Sequence, residues 1–367
     1  MSTKKSWMIN MLNDGHLVFG DYCEDLYDEA FFEGIAKIVR KGHFVGNDSC
    51  VYSRSLSSVL ESRYGLANVA TCGNGTDALK AALHSAGVSS GDEVLVTAVS
   101  WISTTLVIKD LGGIPVYCDI DENGLIDIQE MKSKLSKKTK AILVVHLYGN
   151  VVDIDHVRSI TDLPIIEDCA QAFGSRYIDG EFVGTRGDYG CFSFFPTKNL
   201  GAMGDGGLVC ARQASDALKA KRYLRLGQGE IKGLPLDIGI NSRLDSLQAY
   251  ILEWKLHHVD WESIRLYRHK IIQAYSKVGL QMIDYPETSF PHLAVAVCSE
   301  REATRDVLRN LGIQTMVHYD KALSDISSLN GRFSRECLRA TEFTSKIISL
   351  PLNHKITAND ISKLKLA

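Results

Sequence analysis

A single lysine, Lys198, stands between an aromatic run and a glycine-rich segment in the stretch from Tyr189 to Gly207. The run Cys191–Phe195 has the apolar character of a buried strand, which Pro196 should end because proline cannot donate a ladder hydrogen bond. A lysine that leaves a buried strand is partly desolvated, which lowers its pKa and frees the amine to attack a carbonyl. The stretch therefore favours a nucleophilic lysine over an ordinary surface lysine.

The segment Cys72–Asp77 joins a strand-like run to a helix-like one. Backbone amides at a helix N-terminus, together with the hydroxyl of Thr76, form a phosphate-binding arrangement. The segment matches neither the dinucleotide fingerprint nor the P-loop, so a dinucleotide or triphosphate is not indicated. A plain turn and helix cap would explain the same residues equally well.

Two further side chains follow strand-like runs. Asp168 lies near the end of the apolar run Pro164–Ala170, where a carboxylate needs a cation or a donor. It could pair with a protonated cofactor nitrogen, cap a turn, or pair with a structural arginine such as Arg176. Trp101 could stack on a planar ligand or simply fill the core.

Two groups of polar residues have less definite roles. Lys221, Arg222 and Arg225 form a basic cluster that is either a solvated helix face or a contact for substrate phosphates. His318 and Tyr319, after a strand-like run, could reach the site or pack in the core.

The combination points to one cofactor. A nucleophilic lysine, a phosphate cradle, an acidic partner for a ring nitrogen and an aromatic stacker are what pyridoxal phosphate requires. Lys198 would bind the cofactor covalently, and Asp168 would keep the pyridine nitrogen protonated so that the ring accepts electrons.

From about Asn68 the pattern alternates strands and helices for more than 100 residues, which predicts an α/β fold with a three-layer, mostly parallel sheet. Ligands bind beyond the carboxyl ends of such strands. A smaller C-terminal α/β unit should contain strand His292–Cys298, helix Arg301–Leu311 and strand Gln314–Tyr319, then a helical tail. The expected organisation is an N-terminal segment (1–45), a large cofactor-binding domain (46–255) and a small domain (256–367).

Composition narrows the classes of partner. The chain has 367 residues with 41 basic and 44 acidic side chains, so its charge favours neither nucleic acid nor an anionic membrane. The nine cysteines and eleven histidines lack metal-ligand spacing, so no metal is expected. Without a signal-like or membrane-spanning apolar run, the protein is expected to be cytoplasmic.

The chain resembles the DegT/StrS family of pyridoxal-phosphate-dependent nucleotide-sugar aminotransferases, which have the aspartate-aminotransferase-like fold, fold type I. The resemblance covers ordered motifs over residues 70–250 and is weaker to about residue 355. The motifs are Gly73–Leu79, Gly91–Val94, His146–Gly149, Ile166–Ala172, Cys191–Gly201, Gly204–Gly207 and Asn241–Ala249.

The resemblance implies roles for the residues that match these motifs. Lys198 would carry the cofactor and then move the proton between the substrate and the cofactor, which passes through its pyridoxamine phosphate form. Asp168 would pair with the pyridine nitrogen, Gln171 would contact the ring hydroxyl, and Trp101 would stack on the ring.

Further implied roles concern the phosphate and the assembly. Gly75, Thr76 and Ser193 would hold the phosphate, and Asn241 would reach it from the neighbouring subunit, which makes the active unit a homodimer. His146 and Tyr148 would lie near the site, among the substrate-binding candidates.

The resemblance also implies the substrates. Asn241–Ala249 is similar to enzymes that aminate a 3-keto-6-deoxysugar on a nucleotide, commonly dTDP, with L-glutamate as donor, for surface-glycan or antibiotic amino-sugar synthesis. A 4-keto-6-deoxysugar aminotransferase and a non-catalytic cofactor-binding regulator are the alternatives. The segment 318–322 lacks the usual proline-rich sequence, and the tail ends early at 364–367. Sugar dehydratases with this cofactor have His in place of Lys198, and a nicotinamide dehydrogenase would need a glycine fingerprint that is missing.

Overall fold

The computed structural model describes residues 26–45, 50–229, 231, 233–353 and 356–362. Most of the expected N-terminal segment, the boundary at residue 46 and the tail at 364–367 lie outside these residues. Within them, no helix has the length and apolar character needed to cross a membrane.

The secondary structure follows the predicted alternation through most of the chain. The helices are α1 (Glu29–Lys41), α2 (Val51–Tyr64), α3 (Gly75–Ser85), α4 (Ser103–Asp110), α5 (Ile128–Lys134), α6 (Ile154–Ile160), α7 (Ala214–Tyr223), α8 (Ser246–His258), α9 (Trp261–Lys277), α10 (Arg301–Asn310), α11 (Leu338–Lys346) and α12 (Ala358–Ser362), with 3-10 turns at Leu147–Gly149, Leu323–Asp325 and Ser327–Leu329. The strands are β1 (Ala70–Cys72), β2 (Glu93–Thr97), β3 (Ile114–Cys118), β4 (Thr139–Val145), β5 (Ile165–Asp168), β6 (Tyr189–Ser193), β7 (Gly207–Ala211), β8 (Ala294–Val297) and β9 (Ile347–Leu350).

The large sheet has seven strands in the order β1-β7-β6-β5-β4-β2-β3. Neighbours from β6 through β3 run parallel, whereas β7 is antiparallel to both β1 and β6. β2 and β7 are buried along their whole length, as expected for strands with helices on both faces of the sheet. The predicted fold class, a mostly parallel α/β sheet, is confirmed.

Helix α1 has a defined cap at each end. The side chain of Asp28 accepts the amide hydrogen of Phe31 at 2.9 Å, which caps the first turn of α1. Gly42 ends the helix in the left-handed conformation, with φ of 66°. Phe31 and Ile38 face the core from one side of the helix.

The smaller unit departs from the prediction in its second strand. The expected strand Gln314–Tyr319 is wrong, because Met316 makes only an isolated bridge with Ser349. The partner of β8 is instead β9, which pairs with it antiparallel. β9 is a short run of four buried residues that the sequence interpretation had included in a helical tail. Four residues are too few for periodicity to separate a strand from a helix.

The smaller unit contacts the large sheet through a close approach at Gly149. Gly149 has φ of +97°, and a Cβ there would lie 2.1 Å from the carbonyl oxygen of Phe290. Next to this contact, the amide of His292 donates to the carbonyl of Tyr148 at 2.8 Å. The loop after β4 therefore fixes the segment 290–292 directly against the large domain.

Gly149→Ala should destabilise the protein by at least about 3 kcal/mol, because left-handed strain and overpacking add. Gly180→Ala is the matched control, since Gly180 has φ of +90° but nothing within 4 Å of an added Cβ. Its cost should be only about 1 kcal/mol of strain. Urea unfolding measures both free energies, and equal losses would contradict the role given to this contact.

Candidate active site

A cavity of about 800 Å³ opens at the carboxyl ends of β5 and β6. It is the place where a mostly parallel sheet offers several strand ends at once. The cavity brings together nine of the residues predicted from the sequence. They are Gly75, Thr76, Trp101, Asp168, Gln171, Ser193, Lys198, His318 and Tyr319.

Lys198 lies in a turn that begins where β6 ends. Its amide donates to the carbonyl of Phe195 at 2.8 Å, and Pro196 lies inside that turn. Burial lowers the pKa of the Lys198 amine to about 8, while the negative charge of Asp168 acts in the opposite direction. The amine therefore exchanges a proton close to neutral pH.

Asp168 ends β5 and is buried against the same cavity. One carboxylate oxygen accepts the amide hydrogen of Ala170 at 3.1 Å, and the other accepts the hydroxyl of Thr104 at 3.2 Å. Burial raises the pKa of Asp168, against these hydrogen bonds and the charge of Lys198. A positively charged ring nitrogen would relieve that cost.

The start of α3 forms a small cradle for an anion. Asn74 caps the helix, so the first amides, at Gly75 and Thr76, have no partner within the helix. A Cβ at Gly75 would lie 2.7 Å from the Cβ of Ser193, so only glycine leaves this space open. The Thr76 hydroxyl is held by Ser103 at 2.8 Å. The cradle suits a phosphate group.

Gln171 is held in one orientation by its neighbours. Its side-chain oxygen accepts the amide hydrogen of Tyr148 at 2.9 Å, and its side-chain nitrogen donates to the hydroxyl of Tyr319 at 2.8 Å. The amide NH₂ is thereby directed toward the cavity and keeps one hydrogen for a ligand. Burial raises the pKa of Tyr319 well above its ordinary value, so its hydroxyl stays protonated.

Tyr148 itself does not line the cavity. Its ring is completely buried, and its hydroxyl donates to the carbonyl of His318 in the smaller unit. The expectation that Tyr148 contacts substrate is therefore corrected: its backbone orients Gln171 and its side chain holds the smaller unit. Trp101 is 55% exposed, with its ring 5.9 Å from that of Tyr319, and covers the cavity entrance instead of the core.

His146 is also placed away from the cavity, in the core beneath β5. Its Nδ1 atom accepts the amide hydrogen of Val152 at 3.0 Å, so its proton is on Nε2 and is donated to Glu167 at 2.8 Å. Both ring nitrogens are occupied, and the side chain is fully buried. The predicted substrate contact by His146 is not supported, because the packing beneath the sheet uses both of its polar atoms.

Glu167 is the buried acceptor at the centre of this cluster. Besides the bond from His146, it accepts the hydroxyl of Tyr177 and the amides of residues 184, 186 and 187. His146, Glu167 and Cys169 lie close enough to hold a metal ion, but the carboxylate oxygens of Glu167 already accept these bonds. The cluster is a structural hydrogen-bond network.

Glu167→Gln should destabilise the protein by about 3 kcal/mol at neutral pH, since an amide NH₂ would face donors that need an acceptor. Burial alone would raise the pKa of Glu167, but the bonds from His146 and Tyr177 hold it below its ordinary value of 4.5. The carboxylate therefore stabilises the fold above pH 4.5, and the difference between variant and wild type should shrink as the pH falls below that value.

The control for this variant is Glu181→Gln, which weakens only an exposed pair with Arg186 and should change stability by less than about 0.5 kcal/mol. Urea unfolding at several pH values measures both. Equal, pH-independent losses would contradict the role of Glu167.

Besides His146 and Tyr148, three more predicted residues lie outside the Lys198 cavity. Arg222 and Arg225 line a separate cavity of about 1410 Å³, together with Lys37, Lys41, Lys221 and Arg243. No carboxylate lines this basic cavity within the described ranges. Asn241 is exposed and bridges to Arg225, so within one chain it does not reach the cradle at α3.

Sequence interpretation missed three cavity-lining residues that hold other residues of the site in place. Thr104 holds Asp168, Ser103 holds Thr76, and Asn199 makes contacts described below. Ser103 and Thr104 had a signal, since they are hydroxyl residues two and three positions after Trp101, at the start of a helix. Their partners are far away in the chain, so the sequence did not indicate what they hold.

The fold that places Lys198 and Asp168 at the carboxyl ends of a mostly parallel sheet is shared with solved aminotransferase structures. The chain belongs to the DegT/DnrJ/EryC1/StrS aminotransferase family, whose family model matches residues 28–365.

Similar proteins support this membership over nearly the whole chain. A relative from Acidithiobacillus ferrooxidans, named UDP-N-acetyl-3-dehydro-alpha-D-glucosamine 3-aminotransferase, is 32% identical over 341 residues, 90% of each chain. Another from Aneurinibacillus thermoaerophilus, named dTDP-3-amino-3,6-dideoxy-alpha-D-galactopyranose transaminase, is 32% identical over 92% of this chain and 94% of that one. The crystal structure of DesV from S. venezuelae superposes with a TM-score of 0.85 at 27% identity, over 96% of this chain and 99% of that one.

Aminotransferases of this family use pyridoxal 5′-phosphate, and the residues present fit that group. The open space at Gly75 and the free amides of α3 match its phosphate. The buried carboxylate of Asp168 matches a protonated ring nitrogen, and the amine of Lys198 is near enough for its charge to interact with that carboxylate.

Proposed function

We propose that this enzyme transfers an amino group from L-glutamate to a nucleotide-linked 3-keto-6-deoxysugar, with dTDP as the nucleotide. The observation that carries the proposal is that one cavity holds a desolvated lysine, a buried carboxylate and an anion cradle. Such an enzyme would act in the cytoplasm, in the synthesis of amino sugars for a surface glycan or an antibiotic.

The cofactor would be held at three points. Gly75, Thr76 and Ser193 would bind its phosphate, Asp168 would keep its ring nitrogen protonated, and Trp101 would cover its ring. When bound, pyridoxal phosphate supplies the electron sink that allows an amino group to pass from donor to acceptor.

The protein side chains supply the proton transfer and the orientation. The Lys198 amine, with its pKa of about 8, would take a proton from the donor and return it to the acceptor at neutral pH. Gln171 would donate its remaining hydrogen to the ring hydroxyl. Burial, together with the charge of Lys198, lowers the pKa of His318 to about 4, so His318 would meet the sugar as a neutral ring.

A second copy of the chain would complete the site. The Lys198 cavity of a chain does not include that chain's own Asn241, Arg222 and Arg225. In a dimer, each chain would supply these residues to the cavity of its partner, where Asn241 would contact the cofactor phosphate and the arginines the nucleotide diphosphate. The same region exposes Leu236 by 68% and Ile238 by 87%, an apolar surface that a homodimer would cover.

Mixing two inactive variants tests the shared site. Lys198→Ala should give a folded dimer without amination, and Asn241→Ala should lose activity through weaker phosphate binding. In a mixed dimer, one site combines intact Lys198 with intact Asn241 from the other chain. Random reassembly should therefore restore about a quarter of wild-type activity, since half of the dimers are mixed and each has one intact site of two.

The control is Lys198→Ala taken through the same reassembly without the second variant, and it should stay inactive. Normal amination by Lys198→Ala alone would contradict the proposed mechanism. No recovery of activity in the mixture would mean that each site uses Lys198 and Asn241 from the same chain.

Two observations support the proposed position of amination on the sugar and the proposed nucleotide. The segment Asn241–Ala249 is similar to 3-aminating enzymes, and the names of both relatives above describe 3-amino products or 3-amination, one with UDP and one with dTDP. The rival is a 4-keto-6-deoxysugar aminotransferase on the same scaffold.

Titration of the loaded enzyme with nucleotide-linked amino sugars decides between them, because the reverse half-reaction bleaches the absorbance of the aldehyde form of the cofactor. We expect bleaching by dTDP-linked 3-amino-6-deoxysugars and none by 4-amino compounds or UDP-linked counterparts. Bleaching by the 4-amino compound alone would overturn the position while keeping the aminotransferase. A protein that never turns yellow with pyridoxal phosphate would overturn the proposal as a whole.

A further inference from the structure

Asn199, the residue directly after Lys198, has every polar atom of its side chain engaged. The NH₂ group donates to the carbonyl of Phe173 at 3.0 Å and to that of Phe290 at 3.2 Å. The side-chain oxygen accepts from Arg268 at 2.7 Å and lies 3.2 Å from Nδ1 of His292. Both hydrogens and both lone pairs are therefore used.

These partners fix the orientation of the Asn199 amide. An arginine only donates, so the oxygen must face Arg268, and a carbonyl only accepts, so the nitrogen must face Phe173 and Phe290. His292 must then donate from Nδ1. The amide cannot be rotated by 180° without losing its contacts with Arg268, Phe173 and Phe290.

The four contacts join separate parts of the molecule beneath Lys198. Phe173 follows β5, Arg268 lies buried on α9, and the segment 290–292 belongs to the smaller unit. Arg268 also donates to the carbonyl of Pro291 at 2.8 Å, which closes the connection between the helix and that segment.

The turn that carries Lys198 is closed on its other side by its own backbone. The amide of Ala202 donates to the carbonyl of Phe194 at 2.7 Å. A Cβ at Gly201 would lie 2.4 Å from the carbonyl oxygen of Pro196, so the turn is as narrow as the backbone allows. Asn199 provides side-chain contacts from this turn to the rest of the molecule.

We propose that Asn199 is a positioning residue, whose four hydrogen bonds hold the backbone of Lys198 so that its amine remains beside Asp168 during proton transfer. A lysine that is released from the cofactor in each catalytic cycle is held only by its backbone and by packing. Displacement by about 1 Å is enough to cost about a hundredfold in rate. The inference rests on the role of Lys198 in the proposed function.

Two variants remove different hydrogen bonds of the Asn199 side chain. Asn199→Asp keeps an acceptor for Arg268 and loses both donors, and Asn199→Leu loses every contact. The matched control is Asn150→Leu, because Asn150 is also an asparagine, is buried, and donates to the carbonyl of Asp284 at 2.8 Å, across the same boundary between the units but away from Lys198.

The first measurement is the single-turnover rate of the loaded enzyme with L-glutamate and with its α-deuterated form, divided by the bound cofactor. We expect both Asn199 variants to keep their cofactor, to lose at least about tenfold in rate and to show a larger isotope effect, since proton transfer then limits the reaction. Asn150→Leu should lower the melting temperature and leave the rate per cofactor and the isotope effect as in the wild type.

The second measurement is acetylation of Lys198 against pH in enzyme loaded with pyridoxamine phosphate, with the modified peptide quantified by mass spectrometry. Asp168 and His318 are the titratable groups whose charges interact with Lys198, and both remain in every variant. Since a displaced amine gains water, the midpoint should rise by about one pH unit in Asn199→Leu, which adds no charge, and not in Asn150→Leu. In Asn199→Asp the new carboxylate adds to the rise, so Asn199→Leu reports the displacement by itself.

Unchanged rates and an unchanged midpoint in Asn199→Asp would overturn the inference even if Asn199→Leu fails to fold. Equal effects from Asn150→Leu would also overturn it, by showing a general packing role. These failures differ from that of the proposed function, which Lys198→Ala decides.

Discussion

Two consecutive carboxylates on β5, Glu167 and Asp168, set the constraint on which the rest of the structure depends. Successive strand residues face opposite sides of a sheet, so each carboxylate is buried in a different layer. Glu167 is supplied with donors from a histidine, a tyrosine and three backbone amides. Asp168 receives two, at 3.1 and 3.2 Å. The protein thus supplies more hydrogen bonds to the carboxylate on one side of the strand than to the one on the other, and in the proposed function a protonated ring nitrogen would pair with Asp168.

The smaller unit contributes to the site through the same strand ends. Tyr148 connects it to the cavity, since its backbone orients Gln171 while its hydroxyl binds the carbonyl of His318. The close approach at Gly149 holds the segment 290–292 against the large domain. Displacement of the smaller unit would consequently move Gln171 as well as His318 and Tyr319, which all line the Lys198 cavity. The large sheet and the smaller unit therefore hold the residues of the cavity in place together.

The distribution of charge distinguishes two of the cavities. The Lys198 cavity is lined by three carboxylates, of Asp77, Asp168 and Asp205, besides the cationic side chains of Lys198, Lys255 and Arg268. The cavity around Arg222 is lined by cations without a carboxylate among the described residues. A substrate with a diphosphate needs cations, and a substrate with a carbonyl to be aminated needs the lysine. In a homodimer these two requirements would be met by different chains, and the nucleotide sugar would be recognised only by the assembled protein.

The sequence by itself determined the fold class and the residues at strand ends, including Lys198, Asp168 and Gly75. These follow from local pattern, since parallel strands align their carboxyl ends and any polar residue directly after a buried strand comes to the same edge. Only the tertiary structure decided which neighbouring residues reach the cavity. His146 and Tyr148 also follow a strand, yet packing directs their side chains into the core, because Glu167 and the smaller unit occupy their polar atoms. The four partners of Asn199 are separated from it by 26 to 93 positions, and no local pattern could have indicated them.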